Sequence, residues 1–207
     1  MRTEFKQAIT ANQKAFGMEL EADVLERLAD FYELVQEHNP LLHLVGPASP
    51  EEFAIRHILE SLTLLEHLPL GSIIADIGAG AGLPSVPCLI ARDDLSAVLI
   101  ESRLRKAEYL ETAVTRLDLT SRASAIDRQF EEVRDAKFTA VTCRALDKFI
   151  DKLPRILKWA KGRPLYFFGG PTLAEALKRR NAAFDSRLIP MSEQRFLYVV
   201  FGDQPAT

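Results

Sequence analysis

The segment Ile74-Ala75-Asp76-Ile77-Gly78-Ala79-Gly80-Ala81-Gly82-Leu83-Pro84 limits the fold more than any other stretch of the chain. An apolar run leads into glycines at every second position, and an apolar helical pattern follows. Glycine at such a turn permits positive φ and lets the backbone approach a ligand closely. A strand that passes through a glycine loop into a helix belongs to open α/β sheets, whose ligands gather at the carboxyl edge. Glu101 lies 19 residues beyond Gly82, at the end of the next apolar run. A carboxylate there accepts hydrogen bonds from both hydroxyls of a ribose. Asp76, just ahead of the first glycine, is placed to bond loop amides or an amino group of the ligand. The loop amides and the helix start are expected to face that ligand.

The rest of the pattern divides at Gly71. Before it, helices are predicted at 3–16 and 19–37, the second from the helical spacing of Leu20, Val24, Leu28, Phe31 and Val35. Asn39-Pro40 predicts a break and a loop to Pro47. Ser49-Pro50-Glu51-Glu52 then reads as a helix start, with a Ser cap, Pro first and Glu third, continuing to His67. After Gly71, strands are predicted at 72–77, 96–101, 122–126, 138–143, 164–168, 185–190 and 195–201. Helices fall between most of them, at 84–92, 103–118, 148–161 and 172–183, the last opened by a Thr172–Glu175 capping box. This alternation predicts a mostly parallel sheet covered on both faces. Only Met191 to Gln194 separate the last two strands, too few for a crossover, so these two pair antiparallel. The reading is an α/β, Rossmann-like fold with seven strands, one terminal strand antiparallel. An N-terminal helical extension (1–70) packs on a ligand-binding domain (71–207).

Composition narrows the classes. At 207 residues and 47% hydrophobic, the chain suits one sizeable domain and not a disordered one. No apolar run is long enough to span a membrane, and the first residues lack a signal-peptide core, which predicts a cytoplasmic protein with no membrane partner. Cys88 and Cys143 are far apart with no CxxC, and read as buried free thiols. The histidines show no metal-ligand spacing, so no metal is expected. The net charge of −3 hides an asymmetry: residues 1–70 hold 5 Lys+Arg against 12 Asp+Glu, and residues 71–207 hold 21 against 17. A phosphate backbone meets the second part more easily.

The glycine spacing G-x-G-x-G differs from the G-x-G-x-x-G dinucleotide fingerprint. Pro84 and Pro87 also crowd the helix start that a diphosphate needs. With the antiparallel terminal strand, these features favour a class I methyltransferase over a nicotinamide or flavin enzyme, which stays the rival. Arg56-His57-Ile58-Leu59-Glu60-Ser61-Leu62, the glycine segment and Cys143-Arg144-Ala145 then resemble, in order and interval, one family. It is that of the ribosomal small-subunit guanine-N7 methyltransferases, also called glucose-inhibited division protein B. Glu101-Ser102 followed by Arg105-Lys106 is similar to a further stretch of that family, and the resemblance runs from about residue 30 to 200. It implies methyl transfer from S-adenosylmethionine to N7 of one guanine in the 530 loop of 16S rRNA. The partner is then 16S rRNA or the assembling small subunit. It also implies cofactor contacts from Gly78, Leu83, Gln129, Phe130 and Arg144. Read directly, Phe130 offers a ring to stack on adenine, and Arg144 ends a strand at the carboxyl edge. Asp76, Gly80, Gly82 and Glu101 complete the cofactor set. The chain departs from the family at His38-Asn39, where Trp-Asn is usual, and at His43-Leu44-Val45, where Asn-Leu-Thr is usual. It departs again at Ser85 (usually Gly), at Phe130 (often acidic) and at Gly169-Gly170 (usually Lys-Gly), where an RNA-facing charge is lost.

N7 of guanine has a free lone pair and no proton, so its methylation needs positioning and no general base. No catalytic residue is therefore expected. No N-P-P-[YF] loop of an adenine amino methyltransferase follows the fourth strand. Cys88 sits in the helix after the glycine loop, away from the substrate mouth that a cytosine-C5 nucleophile requires. Sulfonium and methylated guanine are both cationic, so neutral or aromatic groups should line the target site, with cations at the rim for phosphates. Rim candidates are Arg56 and His57 from the N-terminal part, Arg103, Arg105 and Lys106 after Glu101, and the stripe Lys148, Lys152 and Arg155. Pro154 either kinks that helix or marks its start, which would spoil the stripe. Three rival readings remain open: the same fold acting on a small molecule or protein, a nicotinamide-dependent oxidoreductase, and an RNA-binding module without activity.

Overall fold

Residues alternate between two apolar clusters along every central strand, and this period of two sets the layers. The computed structural model describes residues 1–144 and 146–201. Ala145 of the third family-like segment and residues 202–207 lie outside the described residues. The strands are β1 (Ile73–Ile77), β2 (Ser96–Glu101), β3 (Ala123–Asp127), β4 (Ala140–Arg144), β5 (Leu165–Gly169), β6 (Phe184–Leu188) and β7 (Phe196–Val200). They form one sheet in the order β3-β2-β1-β4-β5-β7-β6. The first five run parallel, and β7 is antiparallel to both β5 and β6. The expected seven-stranded, mostly parallel sheet and its antiparallel hairpin are thus present.

Ile74, Leu99, Tyr166 and Leu197 point to one face, and Ala75, Ile100, Phe167 and Tyr198 to the other. The first face is covered by α1 (Arg2–Asn12), α2 (Ala22–Leu42), α5 (Ser85–Ala91) and α6 (Leu104–Arg116), through Phe5, Phe31, Val86 and Leu110. The second is covered by α7 (Phe149–Ala160) and α8 (Pro171–Lys178), through Ile156 and Leu177. One continuous cluster contains both Phe5 and Leu99, so the N-terminal helices share a core with the sheet. Among the described residues no helix is long and apolar enough to cross a membrane.

Three local expectations are corrected. First, α2 does not break at Asn39-Pro40 but runs to Leu42 with Pro40 inside it. A proline this close to the end removes one late backbone bond only. The helix closes instead on Asn39, whose carbonyl accepts from His43 N at 2.9 Å and whose Oδ1 accepts from Val45 N at 2.9 Å. Second, the helix from Ser49 is not uniform. Its capping box forms, with Glu52 N donating to Ser49 Oγ at 3.1 Å and Ser49 N to Glu52 Oε2 at 2.9 Å. After α3 (Pro50–Phe53) it widens to a π turn over Ala54–Leu59, resumes as α4 (Glu60–Leu62), and tightens to 3-10 over Thr63–His67. Third, Thr172 does not cap α8; Gly170 does, with Pro171 in the first position and no side-chain cap bond. Proline's fixed φ suits that first position and moves the start ahead of Thr172.

Glu60 ties these parts together. It is 2% exposed, and its Oε1 accepts from Arg195 Nε at 2.6 Å while Oε2 accepts from Arg144 Nη2 at 3.2 Å. One carboxylate so joins the N-terminal segment, the end of β4 and the β6–β7 turn. Glu60→Ala leaves Arg144 desolvated without its counter-charge. We expect a loss of about 3 kcal/mol by urea denaturation, the order found when one partner of a buried pair is removed. The more exposed Arg195 carries the smaller share. A parent-like midpoint in Glu60→Ala would show that the network holds nothing together.

Candidate functional site

The glycine loop closes the carboxyl end of β1 over that of β2. Gly78, Gly80 and Gly82 all have positive φ, at 70°, 54° and 88°. A Cβ on Gly78 would sit 2.6 Å from Leu146 Cδ1, and one on Gly82 would sit 2.6 Å from Val86 Cγ2. Gly78 thus lets the post-β4 segment close on the loop, and Gly82 lets α5 pack under it.

The loop amides are not bare, which corrects the sequence reading. Gly78 N and Ala79 N both donate to the Ile100 carbonyl, at 2.8 and 3.1 Å, and Gly82 N donates to Ala79 O at 2.7 Å. Gly80 N donates to Glu101 Oε2 at 3.1 Å. The cause is the β1–β2 register, which sets Ile100 beside Ile77 and brings its carbonyl beneath the turn. Glu101 is buried, and its Oε1 accepts from Arg103 N at 3.0 Å. Each oxygen keeps a lone pair for the cleft.

Loop and carboxylate form one wall of a cleft of 440 Å³ at the carboxyl edge. Of the expected cofactor residues, Gly78, Gly80, Leu83, Glu101, Gln129, Phe130 and Arg144 line it. Gly82 does not, because it faces α5. Asp76 does not either: it is fully buried, neither oxygen has a partner, and it bonds no loop amide. Strand alternation turns it into the first face, not up into the turn. Burial pushes its carboxyl up to about 7. Ser85 lies near enough to lower it in part, although neither group completes a hydrogen bond. Phe130 meets the cleft but is itself buried, edge-on to Trp159 at 5.8 Å, so the expected stacking face is largely spent on the core.

Arg144 is more constrained than expected. Nη1 donates to Ser61 Oγ at 3.0 Å, Nη2 donates to the Arg56 carbonyl and to Glu60, and the guanidinium lies 5.5 Å from the Phe168 ring centroid. Burial lowers its pKa, and Glu60 opposes that shift. His57, on the π turn, also lines the cleft; its Nδ1 is buried without a partner and its ring sits 4.9 Å from Phe53. Burial, then the positive charges of Arg144, Arg56 and Arg195, push it down to about 4, so the ring is neutral at neutral pH. A π turn is a frequent mark of functional backbone, but no sequence signal announces this one.

The rim cations divide. Arg103, Lys106 and Lys152 line the cleft, whereas Arg56, Arg105, Lys148 and Arg155 do not. Lys148 caps α7 in a left-handed conformation, at φ 52°, so the supposed stripe loses its first member. Arg155 pairs with Glu131 at 2.8 Å. Lys106 donates to the His43 carbonyl at 3.1 Å, and its partial burial lowers its pKa. That bond anchors Leu44, Val45 and Gly46, which form a cleft wall the sequence reading missed. Arg128 and Asp147 were missed too. Their signal was position, since each follows the carboxyl end of a strand. Cys88 and Cys143 are buried free thiols, raised by burial, and Cys88 Sγ lies 3.4 Å from Ser61 O, outside the cleft lining.

Comparison with known proteins agrees with this geometry. A family model described as GidB, rRNA small subunit methyltransferase G, matches residues 24–189. The chain is 34% identical over 205 residues to a ribosomal RNA small subunit methyltransferase G of Sorangium cellulosum, covering 92% of this chain and 86% of that one. It is 28% identical over 170 residues to the protein of the same name from Neisseria meningitidis serogroup A, covering 79% and 82%. Among solved structures, the precorrin-6y C5,15-methyltransferase of Geobacter metallireducens aligns with a TM-score of 0.55 at 12% identity, over 70% of this chain and 88% of that one. That last likeness concerns the fold alone. With a match running from α2 through β6 and from the Arg56-His57 segment through Arg144, the chain belongs to the rRNA small subunit methyltransferase G family.

Proposed function

We propose that this chain transfers a methyl group from S-adenosylmethionine to N7 of a guanine in the 530 loop of 16S rRNA, as naked RNA or within the assembling small subunit. The carrying observation is the Glu101 clamp on the glycine loop, where the amides of Gly78, Ala79, Gly80 and Gly82 are already satisfied. Such a cleft holds the two hydroxyls of a ribose and leaves a diphosphate none of the amides of Gly78, Ala79, Gly80 and Gly82. This disfavours the nicotinamide reading on physical grounds. The residues fit an adenosyl group: each Glu101 oxygen has one backbone donor and room for another. When bound, S-adenosylmethionine supplies a methyl on a positively charged sulfur.

The chain's own residues then position and exclude. Glu101 and Asp147 bring negative charge to a cleft that must hold a cation. Neutral His57 adds no positive charge beside it. Guanine N7 carries no proton, so the cleft needs no base there. Arg103, Lys106 and Lys152 stand where phosphates flanking an inserted base would pass. An acceptor that is a small molecule or a protein would instead leave association with ribosomal RNA weak and indifferent to salt.

Reverse-transcription mapping of N7-methylguanine in 16S rRNA, from cells with and without the gene, decides the target. One mark should vanish on deletion and return with the parent gene, and a mark that persists after deletion overturns the proposal. In calorimetry, Glu101→Gln should weaken S-adenosylmethionine binding ten- to a hundredfold, since hydrogen bonds to a charged group contribute about 1.5–3 kcal/mol. An unchanged affinity would remove Glu101 from the site.

Two buried groups give opposite pH dependences. His57 is held near 4 against an ordinary 6.5, so the unfolded chain binds more protons between those values and stability falls as pH drops through that window. Asp76 is held near 7 against an ordinary 3.8, so its contribution is present at low pH and is lost as pH rises toward 7. Each slope spans at most about 3 to 4 kcal/mol. Denaturation at several pH values should therefore find Asp76→Asn gaining stability from pH 4 to 7 relative to His57→Gln. A constant difference between the two variants would refute both assignments.

A further inference from the structure

A second cavity, of 420 Å³, opens along α7, and its Trp159 meets Phe130 of the methyl-transfer cleft edge-on. Its apolar floor is an aromatic pair: Phe138 stacks on Trp159 at 4.6 Å and 16°. Arg163 lies over the Phe138 ring at 4.6 Å and donates from Nε to the Phe138 carbonyl at 2.9 Å. The indole N–H of Trp159 is already bonded to Val133 O at 3.1 Å, which fixes the ring in place. Around this floor stand Arg134, Arg155, Lys158, Lys161 and Arg163, against the single carboxylate of Glu131. Arg134, Lys158 and Lys161 are exposed. Arg155 is held by Glu131 alone, in a largely solvated pair that exchanges at little cost.

This groove adjoins the site already described. Lys152 lines the cleft, while Arg155 and Trp159 line the groove. These three lie three and four residues apart on α7, one face of the helix, spanning about 10 Å. Phe130 lines the cleft and meets Trp159 edge-on, so the two cavities share an aromatic wall.

A positive groove floored by aromatic rings is the combination that holds single-stranded nucleic acid. The cations track phosphates, and the rings offer a surface to a base of any identity. We infer that this groove is a second RNA-binding site. It takes the single-stranded flank of the RNA whose target base enters the cleft, with phosphates on Arg134, Lys158 and Lys161 and one base against Trp159, whose ring Phe138 backs. The inference rests on the RNA reading of the cleft and assigns that RNA a path along α7.

Trp159 is the only tryptophan of the chain, so the groove carries its own reporter. The full chain, with its cleft saturated by S-adenosylhomocysteine, is titrated with a single-stranded RNA of the 530-loop sequence at several salt concentrations. Trp159 emission should be quenched, and the logarithm of affinity should fall linearly with the logarithm of salt. In the triple variant Arg134→Ala, Lys158→Ala, Lys161→Ala, that slope should shrink by about 2, at roughly 0.7 for each phosphate no longer neutralised. The KM for RNA should rise tenfold or more, with cofactor affinity and circular dichroism parent-like. Unmoved Trp159 emission, or a parent-like salt slope and KM in the variant, overturns the inference. Quenching by poly-glutamate and not by RNA also overturns it, and assigns the groove to an acidic protein. Quenching by RNA in a parent chain that methylates nothing supports the groove while sinking the reading of the cleft.

Discussion

The carboxyl end of β2 governs the site. The Ile100 carbonyl takes two amides of the glycine loop, and the next residue, Glu101, takes a third with its side chain. The loop is therefore shaped by the strand beside it and not by a ligand. A preformed cleft pays less ordering cost on binding, and here the ordering comes from sheet register. With those donors used internally, what the cleft presents is the carboxylates of Glu101 and Asp147, a neutral imidazole, apolar walls and the cations of Arg103, Lys106, Arg128 and Lys152. The carboxylates suit a ribose and a cationic centre, and the cations suit phosphates that flank it.

The N-terminal helices are part of this device. Lys106 holds the backbone after α2 against the cleft, and Arg144 holds the π turn through Ser61, Glu60 and the Arg56 carbonyl. His57 owes its neutrality to that docking, since burial beneath the same turn and three nearby arginines drive its shift. Loosening the Glu60 network would therefore unsettle a cleft wall and the charge inside the cleft at once. The coupling is physical: one carboxylate compensates the arginine that both anchors the turn and repels a proton from its histidine.

Much of this is legible in the chain. The strand–glycine–helix segment and the acid ending the next strand are local signals that map to what is seen, and the short connection before β7 gives the antiparallel pair although it spans 189–195 and not 191–194. What fails depends on groups brought in from elsewhere. Ile100 lies more than 20 residues from the loop whose amides it takes, and no local pattern foretells that bond. Asp76 reads as ligand-facing from its place before the first glycine, yet strand alternation turns it inward. Arg155 belongs to a plausible stripe until Glu131, from a different element, claims it. Pro40 reads as a breaker because the pattern does not show that Asn39 and His43 close the helix beyond it.

Charge explains how a chain of net charge −3 can still meet RNA. Five of the twelve acids of the N-terminal part stand on α2, where Arg2 bonds Glu26, Asp30 and Glu33. Residues 131–163 hold nine Lys+Arg against five Asp+Glu, and much of that excess stands along α7. Opposite signs on opposite faces of the sheet give the molecule a dipole, and a polyanion is steered to one face. On the proposed path, an RNA arriving at α7 would meet the cleft by way of Lys152, and one arriving at α2 would be repelled. Orientation is then selected during approach, before any base is tested in the cleft, so a weakly charged protein need not be an indifferent one.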